Sequence, residues 1–476
     1  MAERYWVETL GCPKNQVDSD KLGGTLLADG LVPAGSPDEA DLVVVNTCAF
    51  IEAARQESID TILQLSGARR PGARLVVTGC LAERHGSELA AALPEVDLVA
   101  GFGVPVTLRP SRLGPGAPLA LGPHHRTPTA RFDEPLAFDE PPAFDLLNLP
   151  RPPTAAPWAY VKVAEGCDRR CGFCAIPSFR GTQRSRPADA VLQEVSALGP
   201  HVQEVVLVAQ DLASWGADRD DPTTTRTRGA RRPIIDLVAR LSAQVARVRL
   251  LYLYPSSLDD ALMDAIVATG VPYFDLSLQH VSRPLVQRMR RWGDAERFLE
   301  RIAAVRAAAP DAALRSSFIL GYPGETEEDH DQLLAFLEAA QLDWAGFFPF
   351  SCEPGTHAAR LDGQVPPELA LERLRECAEL QDAVTARRRA ALVGDTLQVL
   401  VDRPGVARSH REAPDIDGVV QVPPSLAVGT FHQVQVTASA GPDLWADPVD
   451  PAAAAAGPDL ATAPAAGGGP TVKAKR

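Results

Sequence analysis

The sequence predicts an α/β protein of three folded units: an N-terminal parallel α/β sheet, a central partial (β/α)6 barrel and a small antiparallel C-terminal β-barrel. Short apolar runs alternate with helical patterns over residues 1–108, and six such units follow one another between residues 158 and 351. After residue 392 polar and apolar residues alternate with a period of two, which is typical of half-buried antiparallel strands. A chain of 476 residues is also too long for one compact core.

The N-terminal unit, residues 1–108, contains strand patterns separated by helical patterns, which indicates a parallel sheet. Strands are expected at 7–10, 42–46, 75–78 and 98–100, and helices at 18–28 and 52–66. Residues 109–157 are rich in proline and show no sustained period, so they are predicted to form an extended linker.

The central unit, residues 158–391, contains the six βα units and a connecting helix near 367–391. Six units indicate an incomplete barrel, because a complete one has about eight. Its strands are expected at 160–164, 204–209, 248–254, 273–278, 314–320 and 345–350.

The C-terminal unit, residues 392–446, has alternating segments at 396–402, 417–422 and 430–438, separated by Asp-Gly and Val-Gly turn signals. Residues 447–476 are rich in alanine, glycine and proline and are predicted to be a disordered tail.

The composition indicates a cytoplasmic protein without a membrane segment. No apolar run approaches the length of a membrane span, and the N-terminus lacks the pattern of a signal peptide. Thiols stay reduced in the cytoplasm, so the eight cysteines are interpreted as ligands, nucleophiles or core residues and not as disulfides. The net charge of −14 disfavours broad attachment to nucleic acid.

The most specific pattern in the chain is Cys167-Asp-Arg-Arg-Cys171-Gly-Phe-Cys174, here called the central cysteine set, which follows the first strand of the central unit. Three thiolates so close together can each bind one iron of a cubane cluster. The fourth iron is then open, and an open position distinguishes a reactive metal site from a closed structural one. A structural zinc site is the alternative, but it requires a fourth Cys or His nearby.

Three further cysteines, Cys12, Cys48 and Cys80, form what we call the N-terminal cysteine set. Each follows the carboxyl end of a predicted strand, and those ends share one edge of a parallel sheet. The alternative is three separate buried cysteines, since free cysteine is often buried. Cys352 and Cys377 have no comparable arrangement and are interpreted as core or surface filler.

The Cys-x3-Cys-x2-Cys motif on a partial barrel resembles the radical S-adenosylmethionine (SAM) superfamily. Phe173 matches the aromatic position of that superfamily beside the adenine of the cofactor, and Gly321-Tyr-Pro-Gly-Glu325 is similar to a loop around the cofactor. The resemblance therefore implies cofactor contacts at Phe173, Gly321, Gly324 and Glu325. With its N-terminal cysteine set and a C-terminal unit similar to a TRAM domain, the chain resembles the methylthiotransferase family up to about residue 446.

This resemblance implies two [4Fe–4S] clusters and two molecules of SAM. The cluster at the central cysteine set yields a radical that removes a hydrogen atom from an unactivated carbon, which a general base cannot deprotonate at neutral pH. By the same resemblance, the auxiliary cluster at the N-terminal cysteine set is expected to carry the sulfur that is methylated and transferred. An electron donor such as flavodoxin or ferredoxin is the implied partner.

Other polar residues near the predicted strand ends are weaker candidates. Asp211, Tyr254 and His280 are candidate catalytic residues, although His280 is equally consistent with a core or surface position. Gln210 and Gln279 occupy similar positions. Several arginines near the central cysteine set could hold a carboxylate, but most are expected on a solvated loop; they are Arg169, Arg170, Arg180, Arg184 and Arg186.

Two observations favour the β-carbon of an aspartate in ribosomal protein uS12, free or in the small subunit, as the substrate. The segments Gly11-Cys-Pro-Lys-Asn and Tyr252-Leu-Tyr-Pro255 resemble the ribosomal-protein branch of the family, although Ser277 replaces a usual proline. The C-terminal unit has a net charge of −3, and an acidic barrel complements a basic ribosomal protein better than a transfer RNA. Its charged residues are Asp395, Asp402, Glu412, Asp415, Asp417, Asp443, Arg403, Arg408 and Arg411.

Two other functions remain open from the sequence. The first is methylthiolation of an adenosine in transfer RNA by the other branch of the same family. The second, from a different class, is a non-catalytic iron–sulfur carrier. The barrel, Phe173 and the 321–325 loop favour an enzyme, because a carrier needs no nucleoside cofactor.

Overall fold

The computed structural model describes residues 2–108, 144–219 and 232–449, together with the backbone of a short strand at Leu119–Ala120. The predicted architecture of sheet, partial barrel and small β-barrel is confirmed. The predicted tail lies outside the described residues from 450 onward, as does most of the predicted linker. Among the residues that the structure describes, none of the helices has the length and apolar character that a bilayer crossing requires.

The N-terminal sheet is parallel, with strand order β2-β1-β3-β4-β5-β6. Its strands are β1 Arg4–Thr9, β2 Val32–Pro33, β3 Leu42–Thr47, β4 Arg74–Gly79, β5 Leu98–Ala100 and β6 Leu119–Ala120. Its helices are α1 Pro13–Ala28, α2 Glu52–Ala68 and α3 Cys80–Ala92. β3 is buried along its whole length, which explains its uninterrupted run of apolar residues.

The segment predicted as an extended linker contributes to this sheet in two ways. β6 comes from it, and Phe144 and Leu146 pack against the sheet core. The Lys21 side chain is fully buried and donates to the Leu147 carbonyl at 2.6 Å. These few apolar residues are surrounded by prolines, so their pattern was too weak to indicate packing.

The central barrel contains six parallel strands in two sheets of three, which a bridge between Leu253 and Leu276 joins. Its strands are β7 Trp158–Lys162, β10 Glu204–Val208, β11 Arg247–Leu250, β12 Tyr273–Gln279, β13 Ala313–Leu320 and β14 Trp344–Pro349. A short antiparallel pair, β8 Ala164–Glu165 and β9 Arg184–Ser185, follows β7. Its helices are α4 Ile176–Arg180, α5 Ala188–Ala197, α6 Pro233–Ser242, α7 Asp260–Ala268, α8 Arg283–Arg288, α9 Ala295–Ala308 and α10 Glu327–Ala340.

Helix α11, Pro367–Ala390, leads to the closed C-terminal barrel, in which the strand order is β15-β16-β17-β19-β18. Its strands are β15 Thr396–Arg403, β16 Val406–Arg408, β17 Val420–Gln421, β18 Phe431–Ala440 and β19 Asp443–Pro448. Neighbouring strands are antiparallel except for the parallel pair of β17 and β19. The sequence missed β16 because it is short, and β19 because it crosses the predicted boundary at residue 446.

Buried ion pairs attach the C-terminal barrel to the central barrel at the amino ends of its strands. Glu204, the first residue of β10, is fully buried and accepts from Arg249 at 2.7 Å and from Arg408 at 3.2 Å. The Trp344 indole at the start of β14 donates to the Arg411 carbonyl at 2.8 Å. The C-terminal barrel is therefore at the opposite end of the strands from their carboxyl edge.

These ion pairs correct the charge argument for the substrate. Three of the acidic side chains counted in the sequence pair with arginines inside the protein and form no acidic docking face. The pairs are Asp402 with Arg408, Glu412 with Arg389, and Asp417 with Arg315. Of the three basic residues, Arg408 and Arg411 are buried as well. Without these five residues the unit still has a net charge of −2, so the ion pairs reduce the number of acidic side chains available for docking but do not change the sign of the charge. The remaining charged residues are Asp395, Asp415, Asp443 and Arg403.

Candidate functional site

The N-terminal cysteine set lies at one edge of the sheet. Cys12 precedes α1, Cys48 follows β3, and Cys80 begins α3 directly after β4. β1, β3 and β4 are neighbours in parallel register, so their carboxyl ends are adjacent. Gly11 has a left-handed φ of 94°, and a Cβ there would lie 2.8 Å from the Cβ of Cys48 and 2.9 Å from its Sγ. Glycine is therefore required for the loops of Cys12 and Cys48 to approach each other.

Asn15, in the first turn of α1, holds the three cysteine loops together. Its side-chain amide donates to the Leu10 carbonyl at 2.9 Å and to the Thr47 carbonyl at 3.0 Å. Its Oδ1 accepts from Arg180 at 2.8 Å and lies 3.8 Å from the Cys80 Sγ. One buried side chain thus connects the loops that follow β1, β3 and β4.

Cys48 and Cys80 are buried and Cys12 is half-buried, and burial opposes the ionisation of a thiol. Burial and the neighbouring cysteines raise the pKa of Cys48 to about 12. Burial opposes ionisation of Cys12 too, but the charges of Lys14 and Arg180 bring its pKa below the ordinary value. Bound iron would supply the positive charge that buried thiolates need, so this donor set fits an iron–sulfur cluster.

The central cysteine set lies on the loop between β8 and α4, beside a cavity of about 280 Å³ that Cys171 and Cys174 line. The Arg169 amide donates to the Cys167 Sγ at 3.4 Å, and the Arg291 guanidinium donates to the Cys171 Sγ at 3.0 Å. Burial raises the pKa of the Cys167 thiol to about 12 and also raises that of Cys174. This set, too, has the chemistry of a cluster ligand set with cationic neighbours.

Neither set resembles a site for one metal ion. Within residues 2–108, 144–219 and 232–449, no group of three or more His, Cys, Asp or Glu side chains is arranged to hold such an ion. A cubane cluster does not require that arrangement, because each thiolate binds a different iron of the cluster.

The segment 252–255 lies between the two cysteine sets. The Lys14 Nζ, two residues from Cys12, is 3.5 Å from the centre of the Tyr252 ring. The ring of Tyr254 lies against Arg169 and Arg291 at 4.0 and 4.2 Å, and those arginines contact the central cysteine set. Tyr252 has a φ of 63°, a left-handed conformation that is uncommon for tyrosine and is often found at functional sites. Both cysteine sets therefore adjoin the carboxyl end of β11.

Comparisons with known proteins agree with this arrangement. Three family models match the chain: the Uncharacterized protein family UPF0004 over residues 4–101, the Radical SAM superfamily over 161–337 and the TRAM domain over 393–449. Two curated relatives are named ribosomal protein uS12 methylthiotransferase RimO. That of a Nocardioides species is 41% identical over 93% of this chain and 96% of its own, and that of Chloroflexus aurantiacus is 39% identical over 93% and 99%. The chain belongs to the uS12 methylthiotransferase family.

Members of the uS12 methylthiotransferase family are radical SAM enzymes, so the protein is a transferase that uses SAM and [4Fe–4S] clusters. Among solved structures, the chain is similar to that of the radical SAM methyltransferase TsrM from Kitasatospora setae, with cobalamin and a [4Fe–4S] cluster bound. It is 15% identical, covers 75% of this chain and 74% of its own, and has a TM-score of 0.46.

The structure brings the expected cofactor contacts together. Phe173 packs with Tyr322 of the 321–325 loop in one apolar cluster. Glu325 turns back into this loop, where it accepts from the Gly321 amide at 2.6 Å and pairs with Arg373 at 3.0 Å. Gly324 has a φ of 86° and donates to a neighbouring loop. Glu325 therefore shapes the loop instead of presenting a free carboxylate.

The three candidate catalytic residues lie in two places. Asp211 accepts from Arg169 at 2.6 Å, and the ring of Tyr254 lies over the same arginine, so both adjoin the central cysteine set. His280 is fully buried, and its Nδ1 accepts from the Ser282 amide at 3.1 Å. Burial lowers its pKa to about 4. His280 belongs to the packed network at the start of α10.

Sequence reasoning underestimated the arginines near the central cysteine set. Arg180 and Arg186 are buried in ion pairs, and Arg184 pairs with Asp145, whereas a solvated loop had been expected. None of the acidic partners, Glu165, Glu194 and Asp145, is three or four residues from its arginine, so the helical spacing that indicates ion pairs could not reveal them. The sequence predicted no individual role for three residues of the motifs at 11–15 and 252–255, namely Lys14, Asn15 and Tyr252. The filler cysteines are at separate places, Cys377 in the barrel core and Cys352 on the surface.

Proposed function

We propose that the protein adds a methylthio group to the β-carbon of an aspartate side chain in ribosomal protein uS12. In this proposal each cysteine set holds one [4Fe–4S] cluster, and the cluster at the central set binds SAM. The proposed ligands are Cys167, Cys171 and Cys174 for that cluster, and Cys12, Cys48 and Cys80 for the auxiliary cluster.

The observation that carries the proposal is the position of segment 252–255. Tyr252 contacts Lys14 beside the N-terminal cysteine set, and Tyr254 contacts Arg169 and Arg291 beside the central set. A reaction that breaks a C–H bond with a radical from one site and delivers sulfur from the other requires both sites to lie close to the same substrate carbon. A protein whose two clusters only carried electrons would not need to place both of them at the same end of the barrel.

When bound, SAM and the clusters supply the radical and sulfur chemistry, while the chain positions the reactants. Arg169 and Arg291 place positive charge beside the thiolates of the central set, which favours their anionic form. Phe173 packs against the apolar cluster that contains Tyr322, which makes that side of the site partly apolar. Glu325 keeps the 321–325 loop in one conformation through two backbone amides and Arg373.

The substrate is tested by anaerobic incubation of reconstituted enzyme with purified uS12, with small subunits and, separately, with unmodified transfer RNA. We expect mass spectrometry to detect a methylthio adduct on an aspartate of uS12 and none on the RNA. A methylthio adduct on the RNA alone would refute the proposed substrate, and no adduct on either with full iron content would favour an iron–sulfur carrier.

The two cluster assignments are tested by changing each cysteine set to alanine. Replacing the central set should remove about half of the bound iron, because each set is self-contained. Replacing the N-terminal set should leave cleavage of SAM to 5′-deoxyadenosine and abolish the methylthio product. Loss of all iron from a folded variant of the central set, or normal product from a variant of the N-terminal set, would contradict the assignment.

The proposal also includes a one-electron donor of the flavodoxin or ferredoxin type and a cytoplasmic location. Reduction of the central cluster needs an external electron, and small redox proteins supply one at low potential. The cytoplasm keeps unligated thiols reduced before cluster insertion. Turnover with purified flavodoxin and its reductase, compared with dithionite, tests the donor.

A further inference from the structure

Arg180 connects the two domains at the N-terminal cysteine set. It is the last residue of α4, the helix that follows the central cysteine set, yet its guanidinium contacts residues of the N-terminal unit. It donates to the Cys80 Sγ at 2.9 Å and to the Asn15 Oδ1 at 2.8 Å. The residue is 5% exposed, so these bonds are made away from water. A residue of the central domain thus contributes directly to the surroundings of the other site.

The surroundings of Arg180 fix its orientation. Glu165, in strand β8, accepts from one guanidinium nitrogen with both carboxylate oxygens, at 2.8 and 2.9 Å. Asp18 of α1 lies 3.5 Å from the same nitrogen, and the Phe102 ring lies against the guanidinium at 4.8 Å. One terminal nitrogen of the guanidinium therefore interacts with the two carboxylates, and the other donates to Cys80 and Asn15.

We propose that Arg180 is a positioning residue that holds the auxiliary cluster against the central domain and raises its reduction potential by donating to the Cys80 thiolate. The proposal rests on the proposed function, in which the N-terminal cysteine set holds that cluster. Hydrogen bonds to cluster sulfurs and nearby net charge are the main determinants of cluster potential. A charge-assisted N–H···S bond in a buried site stabilises the more negative, reduced cluster.

The electrostatic balance around the site predicts the direction of the effect. Without Arg180, the carboxylates of Glu165 and Asp18 would face an anionic cluster, and Lys162 would be left as their remaining basic partner among the described residues. Adding an electron would then be less favourable than in the parent protein. The midpoint potential of the auxiliary cluster should become more negative.

The test uses the full-length chain with Cys167, Cys171 and Cys174 changed to alanine, so that only the auxiliary cluster remains. In this parent we compare Arg180→Gln, Arg180→Lys and the control Arg186→Gln. Arg186 is 3% exposed and pairs with Glu194 at 2.8 Å, so its loss perturbs a buried ion pair without touching a cysteine. The readouts are iron content and the midpoint potential from an EPR-monitored redox titration.

We expect Arg180→Gln to shift the midpoint to a more negative potential, Arg180→Lys to give an intermediate value and Arg186→Gln to match the parent. If Arg180→Gln cannot retain iron, recovery of the cluster in Arg180→Lys supports the proposal. An unchanged midpoint in iron-loaded Arg180→Gln, or equal effects of Arg180→Gln and Arg186→Gln, would overturn it. If the parent protein folds but binds no cluster, that result would instead contradict the proposed function itself.

Discussion

Glu353 provides a direct test of whether the contact between the domains aligns the two cysteine sets. It follows β14 and is 2% exposed, and it accepts from Arg84 of α3 at 2.5 Å and from Arg55 of α2 at 2.6 Å. Burial opposes its ionisation, but Ser351 and these arginines hold its pKa below the ordinary value. The charged carboxylate therefore fastens two helices of the N-terminal unit to the last strand of the central barrel.

The change Glu353→Gln keeps the shape of the side chain and removes its charge. Breaking a buried ion pair by removing one partner costs about 3 to 5 kcal/mol, and the retained amide should place this variant near 3 kcal/mol. A misalignment of about 1 Å can lower a reaction rate about 100-fold. We expect methylthio transfer to fall between about 10- and 100-fold, while cleavage of SAM at the central site stays within about twofold.

The assay measures 5′-deoxyadenosine and methylthiolated product in the same anaerobic reaction, with iron content determined for each sample. Glu338→Gln is the control, because Glu338 forms an exposed pair with Arg387 that should contribute less than about 1 kcal/mol. A proportional fall of both products in Glu353→Gln, or no change in either at full iron content, would refute the reasoning.

Three further predictions concern stability and cluster retention. Gly11→Ala should lose about half of the iron, because its methyl group would collide with the N-terminal cysteine set, whereas Gly30→Ala, with a similar φ and open space around it, should keep its iron. Burial lowers the pKa of His280 to about 4, so as the pH falls the unfolded chain binds a proton at this residue before the folded protein does. The free energy of unfolding, measured with urea, should therefore fall as the pH drops from about 6.5 toward 4, by up to about 1.4 kcal/mol per pH unit. His280→Gln should weaken this dependence, and a slope that persists unchanged would rule out the assignment. Arg408→Met should cost about 3 to 5 kcal/mol in the same assay, since buried Glu204 loses one partner; a cost below about 1 kcal/mol would contradict it.

The sequence predicted most of the fold because its strands and helices have strong local patterns. Strand β5 was predicted with its observed bounds, 98–100, and helix α2, predicted at 52–66, begins at the predicted residue and ends two residues later. Strand β16 was missed because three residues cannot show an alternation, and β6 because it lies within a proline-rich segment. Short strands depend on their neighbours for stability, so their own residues carry little information.

For the candidate site, the sequence indicated the cysteines and the strand ends but not the charged residues around them. A cysteine after a strand is visible in the pattern, because the carboxyl edge of a parallel sheet is a predictable place. Arg180 and Glu353 act across domain boundaries, and nothing in their local sequence specifies Cys80 or Arg84 as partners. The same limitation hid the ion pairs of Asp402, Glu412 and Asp417, which take up half of the acidic side chains of the C-terminal unit.

The buried charges shared between units have a consequence for modular engineering. The family models divide the chain into three modules, yet Lys21 of the first is fully buried and pairs with Glu194 of the second at 3.3 Å. Lys162 of the second likewise pairs with Asp18 of the first at 2.6 Å. A chimera whose exchanged module lacked these partners would enclose ions without counterions, and each such ion costs several kcal/mol. A domain swap with a relative that differs at these positions would therefore need the cross-boundary partners to be transplanted together with the module.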